Sequence, residues 1–484
     1  MSAKIETVAP ETGHPKKKDS RYLSLLVVVA LATLIWFIPA PAGVEPKAWH
    51  LLAIFVATIV GIILKPFPMG AIAMIGIAAT AVTGTLTINQ ALSGFGNGTI
   101  WLIVVAFFIS EGFIKTGLGS RIAYLFMAIL GKRTLGLSYG LIATDLVLAP
   151  AIPSNTARAG GIVFPLVRAT AKAFGSEPGD GTAHKIGSFL IQAAFQGNVI
   201  TSAMFLTAMA ANPLAAKLAS QMHINISWGR WAVAALVPGI ASLIVIPLVL
   251  YKFYPPGVKE THGASEMAKQ KLGEMGPVAR EEWIMLAVFL MLLVLWIFGD
   301  RFGIDSATTA LVGLGVLLTT GVLTWKDVLS EEKAWDTLVW FAALVMMASF
   351  LNELGLIPWV TKGVQGLVGG VNWTVAFPVL CLVYFYSHYL FASQTAHVSS
   401  MYAAFLSVSV AVGTPPLLAA LVLGFASNLF SSLTHYGSGP APVLFGSGYV
   451  ELGAWWRLGA LISVINIVIW LIVGGLWWKV LGLW

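Results

Sequence analysis

Apolar residues gather along this chain in long runs, not in short alternating patches. The stretches 22–40, 48–64, 68–84, 99–116, 184–211, 229–254, 283–299, 305–323, 336–355, 414–434 and 454–483 are nearly free of charge. Each is long enough, at about 17 residues or more, for one helix to cross a bilayer. Two further apolar runs, 136–172 and 371–411, are too long for a single crossing, and both break at their midpoint. We read them as re-entrant hairpins that enter and leave on the same side. Two ordinary spans joined by a tight turn would leave the sidedness of everything downstream unchanged. The elements predict an all-α polytopic membrane protein with about 11 transmembrane spans plus the two hairpins.

Composition agrees with that reading and narrows the functional classes. Of the 484 residues 58% are hydrophobic and 10% charged, and the mean hydropathy is +0.85. Soluble proteins carry about 25% charged residues. A soluble enzyme, a nucleic-acid binder and a secreted disulfide scaffold are therefore excluded. Cys381 is the one cysteine, so no internal disulfide or thiolate cluster can form, and its apolar surroundings mark it as packing.

The formal charge of +7 reflects sidedness. Lys16, Lys17, Lys18 and Arg21 precede the first apolar run. That run is too long for a signal peptide and has no cleavage pattern behind it, so its basic flank holds the N-terminus in the cytoplasm. Later loops assigned inside hold Lys65, Lys132, Arg133, Lys252 and Lys326, whereas those outside hold few basic residues, such as Lys362. A bacterial inner-membrane location is expected. The chain divides into a polar tail (1–21), a first span and connector (22–47), a first repeat (48–254), a cytoplasmic linker (255–282) and a second repeat (283–484).

The two halves resemble each other. Gly84, Leu86, Thr87, Leu92 and Ser93 reappear 237 positions later as Gly321, Leu323, Thr324, Leu329 and Ser330. Thr99 and Gly117 reappear 238 later as Thr337 and Gly355, and the offset then becomes 239, setting Pro153 to Arg158 against Ala392 to His397. A steadily drifting offset indicates internal duplication. On the expected topology the repeats are inverted, the architecture of secondary transporters whose sites lie where broken helices meet near the midplane.

Attention therefore falls on the hairpin tips. A helix N-terminus there offers unpaired N–H groups and a positive dipole end to an anion. Ser154, Asn155 and Thr156 on one tip, with Ser393, Gln394 and Thr395 on the other, add hydroxyl and amide groups. Such residues are also good caps and turn formers, but their paired placement at equivalent positions favours a substrate site, each tip gripping one carboxylate.

These tips, with the downstream runs Thr201-Ser202-Ala203-Met204 through Asn212-Pro213 and Thr434-His435-Tyr436-Gly437-Ser438-Gly439-Pro440-Ala441-Pro442, resemble the divalent anion/sodium symporter family, carriers of di- and tricarboxylates, over about 440 residues. The second run is similar to the branch of 2-oxoglutarate/malate translocators and tartrate or citrate/succinate antiporters. Gln394 departs from the family, where Asn is usual, and its extra methylene shifts the amide. The resemblance implies a homodimer in which hairpins and broken helices, 184–222 interrupted near Thr207 to Pro213 and 414–450 interrupted near His435 to Pro442, slide as an elevator against a scaffold. In sodium-coupled relatives the ions sit beside each tip.

Two residues after the Thr of each tip stands a cation-capable side chain, Arg158 or His397. A charge near the midplane costs at least about 2.5–3.5 kcal/mol, so such residues usually face a cavity. Arg158 and protonated His397 are read as fixed positive charges that replace the two sodium ions. A site that cannot shed them returns empty only slowly, which gives obligate exchange of C4 and C5 dicarboxylates. The competing reading has Arg158 snorkelling to the cytoplasmic edge and His397 neutral in the core. Asn198, Thr207, His435 and Ser438 are further candidates for lining the site, Asp145 is a candidate partner for Arg158, and paired tryptophans such as Trp455 and Trp478 fit interface belts. The eight histidines are dispersed and no HExxH or CxxC pattern occurs, so no catalytic residue, metal or cofactor is expected. A sodium-coupled symporter of the same fold is the alternative.

Overall fold

The computed structural model describes residues 17–356, 358–359 and 372–484. Lys362 and the first residue of the expected second hairpin, at 371, lie outside the described residues. Those described form helices without a sheet, and one isolated bridge pairs Arg133 with Glu260. Among the described residues seven helices are long and apolar enough to cross a membrane: Pro46–Leu64, Gly98–Thr116, Trp228–Phe253, Arg280–Phe298, Glu332–Glu353, Trp373–Leu390 and Leu452–Val480. Shorter apolar helices, including Met69–Val82 and Ser306–Thr319, account for other runs, and a further one, Leu118–Leu130, falls in none of the expected runs.

The residues that match between the two halves adopt conformations that need them. Thr87 closes a capping box with Gln90, and Thr324 closes one with Asp327, each satisfying orphan N–H groups of a short helix. Gly84 and Gly321 turn the chain at φ 67° and 79°. Gly117 and Gly355 end the next helices at φ 78° and 83°. A residue with a Cβ is strained there.

Each half then continues with a hairpin and an interrupted helix. The first hairpin descends through Thr134–Leu148, 15 residues, which rise about 22 Å at 1.5 Å each. Its counterpart in the second half, Trp373–Leu390, is long enough to span. The first interrupted helix runs Gly187–Met204, unwinds over 205–210 and resumes as Ala211–Ser220. The second runs Pro416–Leu429, unwinds over 433–439 and resumes as Pro440–Phe445. Both helices resume two residues before the expected ends of the interruptions, Pro213 and Pro442, because a proline in the first helical turn lacks only an N–H that would have no helical partner. All 18 residues of Gly187–Met204 are buried, so this helix is the axis of the molecule, and it packs on Pro416–Leu429.

Around that axis stand the hairpins with Trp228–Phe253 and Leu452–Val480. A second group, Lys17–Phe37, Pro46–Leu64, Met69–Val82, Gly98–Thr116, Arg280–Phe298, Ser306–Thr319 and Glu332–Glu353, packs on itself. Ala211–Ser220 touches both groups. The linker expected at 255–282 is not featureless: His262–Met275 is a helix laid along Leu118–Leu130. Arg121 fastens it, donating to both Glu282 oxygens at 2.6 and 3.0 Å and to the Gly276 carbonyl at 3.0 Å.

Tryptophan placement corrects one expectation. Trp455 is fully buried against Phe195 and Phe445, and Trp478 is buried with its indole donating to the Ala234 carbonyl. They are core residues, since inward-facing helix positions bury indoles as readily as interfaces do. Trp456 and Trp484 remain exposed.

The halves touch backbone to backbone at Gly94, where a Cβ would collide with the Ala342 carbonyl. Gly94→Ala should therefore lower stability by about 1–3 kcal/mol, seen as an earlier thermal transition of purified protein in detergent. Gly96→Ala, which points into open space, should leave the transition in place; equal melting of the two variants would refute a tight crossing.

Candidate functional site

Each tip is built in the same way. In the first, Pro150 and Pro153 keep the turn out of helix, and Ser154 Oγ accepts the Ala157 N–H at 3.1 Å. The ascending arm then passes through a π-helical turn, Ala157–Val163, into Phe164–Ala173. In the second, Ser393 Oγ accepts the Ala396 N–H at 3.3 Å, and the arm passes through a π-helical turn, Val398–Tyr402, into Ala403–Ala411. Both serines are thus N-caps. π-helical turns are rare and gather at functional sites, and here they fall at matching places.

The tips meet. The Asn155 amide donates to Gln394 Oε1 at 3.1 Å, a buried contact between residues 239 apart. Gln394 Nε2 is buried without a protein partner. The longer side chain at 394 gives this contact its reach. Thr156 and Thr395 are half-buried beside them. Thr156 Oγ1 lies so close to Gly439 of the second break that a Cβ there would collide with it. Ser438, next in the chain, is buried with its hydroxyl unpartnered, as is Thr434. Asn198 reaches the same place from the first broken helix, donating to the Asn155 carbonyl at 3.3 Å, while its Oδ1 has no protein partner. Tip, tip and both breaks therefore converge, and several buried polar atoms there are left for something else to bond.

Arg158 does not snorkel. It is fully buried, and its guanidinium is enclosed by oxygen. Nη1 donates to the Ile152 carbonyl of the tip turn at 2.5 Å and to the Ala208 carbonyl of the first break at 2.6 Å. Nη2 donates to Ser202 Oγ at 3.0 Å and Nε to Asp145 Oδ1 at 3.0 Å. Asp145 also accepts from Asn198 at 3.1 Å and from the Thr201 hydroxyl. The pair is electrically compensated, so Arg158 adds no free charge to the site, which corrects the count of two fixed charges.

The second tip differs. The counterpart of Asp145, 239 positions on, is Tyr384, whose ring lies 4.7 Å from His397. His397 is fully buried, and its Nδ1 stands 3.0 Å from Nδ1 of His388. His388 Nε2 lies 2.8 Å from the Gly437 carbonyl in the second break. Sequence reasoning missed His388, although an intramembrane histidine nine residues before the tip's own was a legible signal.

Two candidates sit away from the convergence. Thr207 donates to the Pro150 carbonyl at 2.5 Å and accepts from Trp228 at 3.0 Å, fastening tip to break. His435 accepts from Trp456 at 3.1 Å within an aromatic group that includes Tyr436 and Phe445.

The sodium:sulfate symporter transmembrane region matches residues 19–484. A putative malate transporter of Bacillus subtilis, YflS, is 61% identical over 478 residues, covering 99% of this chain and 100% of its own. An L-tartrate/succinate antiporter of Shigella sonnei is 36% identical over 486 residues, covering 96% and 99%. Among solved structures, the YdaH transporter of Alcanivorax borkumensis aligns at a TM-score of 0.56 with 13% identity, covering 96% of this chain and 97% of that one; that likeness concerns the fold alone.

Removing the carboxylate from a buried pair leaves an uncompensated charge at a cost of about 3–5 kcal/mol. Asp145→Asn should accordingly melt well below wild type. Asp145→Asn combined with Arg158→Gln should recover part of that loss, because the amide still donates and no charge is stranded. Additive destabilisation in the double variant would contradict the coupling.

Proposed function

We propose that this chain, which belongs to the sodium:sulfate symporter family, exchanges C4 and C5 dicarboxylates such as malate, succinate and 2-oxoglutarate without sodium. The family and its relatives are transporters, and the chain is a transporter embedded in the membrane, not an enzyme. The finer reading rests on one observation: the guanidinium of Arg158, held by oxygens of the first tip and the first break. A coupling ion would need such an oxygen cage, and a cation covalently tied to the chain cannot leave with the substrate. Sodium-coupled symport of the same fold is the less favoured reading for this reason.

Charge explains exchange. Each tip helix presents about +0.5 at its N-terminus, and protonated His397 adds one more. The sum, about +2, is offset by a dianion. Loaded, the site is close to neutral; empty, it carries unpaired charge through a low-dielectric region, which is costly. Empty return is slow, so a carboxylate must come back. The substrate's carboxylates take the unpartnered Gln394 amide and the Ser438 hydroxyl, with Ser154, Asn155, Thr156, Ser393 and Thr395 shaping the two tips. Inverted repeats, a homodimer, an elevator movement of the hairpin group and a cytoplasmic N-terminus belong to the same proposal.

In proteoliposomes, uptake of labelled malate should require a dicarboxylate inside and be indifferent to replacing sodium by potassium or choline. Rapid sodium-driven uptake into empty vesicles would sink the exchange reading. Gln394→Ala should weaken binding by about 1 kcal/mol or more in a calorimetric titration, with insertion unaffected; an unchanged Kd would place the carboxylate elsewhere.

A further inference from the structure

We infer that His388 is a positioning residue for transport, and that it and His397 form one unit holding a single shared proton, recruited with the substrate. The inference rests on the proposed dicarboxylate site and assigns the chemistry of its second tip.

Hydrogen-bond bookkeeping limits what the pair can hold. His388 Nε2 faces a carbonyl, that of Gly437, at 2.8 Å, and a carbonyl only accepts, so this nitrogen carries hydrogen. The two Nδ1 atoms stand 3.0 Å apart, room for one hydrogen and not two. His397 Nε2 lies 3.3 Å from Ser387 Oγ, which is also 2.8 Å from the Tyr384 carbonyl. With the serine hydrogen on that carbonyl, Oγ can only accept, His397 Nε2 carries hydrogen, and the pair is one imidazole with one imidazolium. With the hydroxyl turned to His397, both rings are neutral. Rotation of one hydroxyl satisfies either state, and a second added proton has nowhere to go.

The surroundings suit a cation without a carboxylate. The rings of Phe391 and Phe430 stack on His397 at 4.5 and 4.6 Å, and Phe430 lies 3.8 Å from His388. Aromatic faces attract a desolvated cation. Other titratable groups on the packed elements are Cys381, Tyr384, Tyr386, Tyr389 and Tyr402 of the hairpin and His435 and Tyr436 of the break; Tyr384 bonds Ser427, Tyr436 donates to the Tyr389 carbonyl, Tyr402 donates to the Ala420 carbonyl, and His435 accepts from Trp456. Among the described residues no carboxylate lies within ion-pair distance of either imidazole.

Geometry also says why two rings are needed. Arg158 reaches from its tip to the carbonyl of the first break with its own side chain. His397, its counterpart, is shorter, and His388 spans the remainder to the carbonyl of the second break. The relay therefore joins tip to break as Arg158 does, with a charge that comes and goes.

The sign follows from linkage. A bound dianion favours the protonated pair, so binding takes up a proton wherever the free pair is neutral, and affinity falls as pH rises, by up to about tenfold per pH unit. The test is calorimetric titration of the purified full-length protein with L-malate from about pH 6.5 to 8.5, above the carboxylate range, in buffers of different ionisation enthalpy and in both sodium and choline. Wild type should take up no more than one proton, and its Kd should rise with pH. His388→Gln keeps an amide donor for the Gly437 carbonyl but cannot titrate. It should bind with a flat pH profile and no uptake, as should His397→Gln. No uptake by wild type, uptake approaching two protons, or His388→Gln retaining the wild-type uptake while binding uniformly more weakly, would each overturn the shared proton. Sodium-dependent binding would instead count against the exchange reading and leave the proton count standing.

Discussion

Backbone groups released inside a membrane must be bonded by the protein, since no water is there to take them. In this chain that demand is met most tightly at one guanidinium. The turn before the first tip frees the Ile152 carbonyl, the unwound segment of the first broken helix frees the Ala208 carbonyl, and Nη1 of Arg158 bonds both. One side chain thereby ties hairpin to broken helix. Its charge requires Asp145, and Asp145 in turn requires Asn198 and Thr201 to fill its remaining lone pairs. Neighbouring orphan carbonyls follow the same rule: Asn212 caps those of Ser202 and Phe205, and Trp231 caps that of Ala203. Thr201 and Ser202 of the most buried helix are explained by this accounting before any ligand is considered, whereas both amide atoms of Gln192 in the same helix stay unpartnered.

What could be read from sequence divides along the same line. Apolar runs and Gly and Pro in their midst are local signals, and they located the helix interruptions to within a few residues. The cap at Thr87 and its copy at Thr324 show why the repeat was legible: a capping box needs particular side chains at a fixed spacing. Partnership between distant residues is not local. Asn155 meeting Gln394 lay implicit in the repeat, but the compensation of Arg158 by Asp145 depends on how two arms of one hairpin turn toward each other. The pairing of His388 with His397 depends on a tight 3-10 turn, Ser387–Leu390, that brings residues nine apart face to face. Tryptophan at a helix end reads as an interface belt until the packing shows which way the indole points.

The two tips solve one geometric problem with different electrostatics. In the first, a permanent cation is matched by a permanent anion, so the arrangement supplies shape and cohesion and contributes almost nothing to the net charge felt by a substrate. In the second, Tyr384 stands where the carboxylate would be, and an imidazole pair enclosed by aromatic rings takes the place of the guanidinium. On the proposed reading, independence from sodium and attraction for a dianion are therefore separate properties of separate repeats. Arg158 makes a coupling ion unnecessary at the first tip, while helix N-termini and the histidine proton provide the positive potential. On that same reading two equivalent frames serve different ends, one as a fixed strut and the other as a site whose charge follows its ligand.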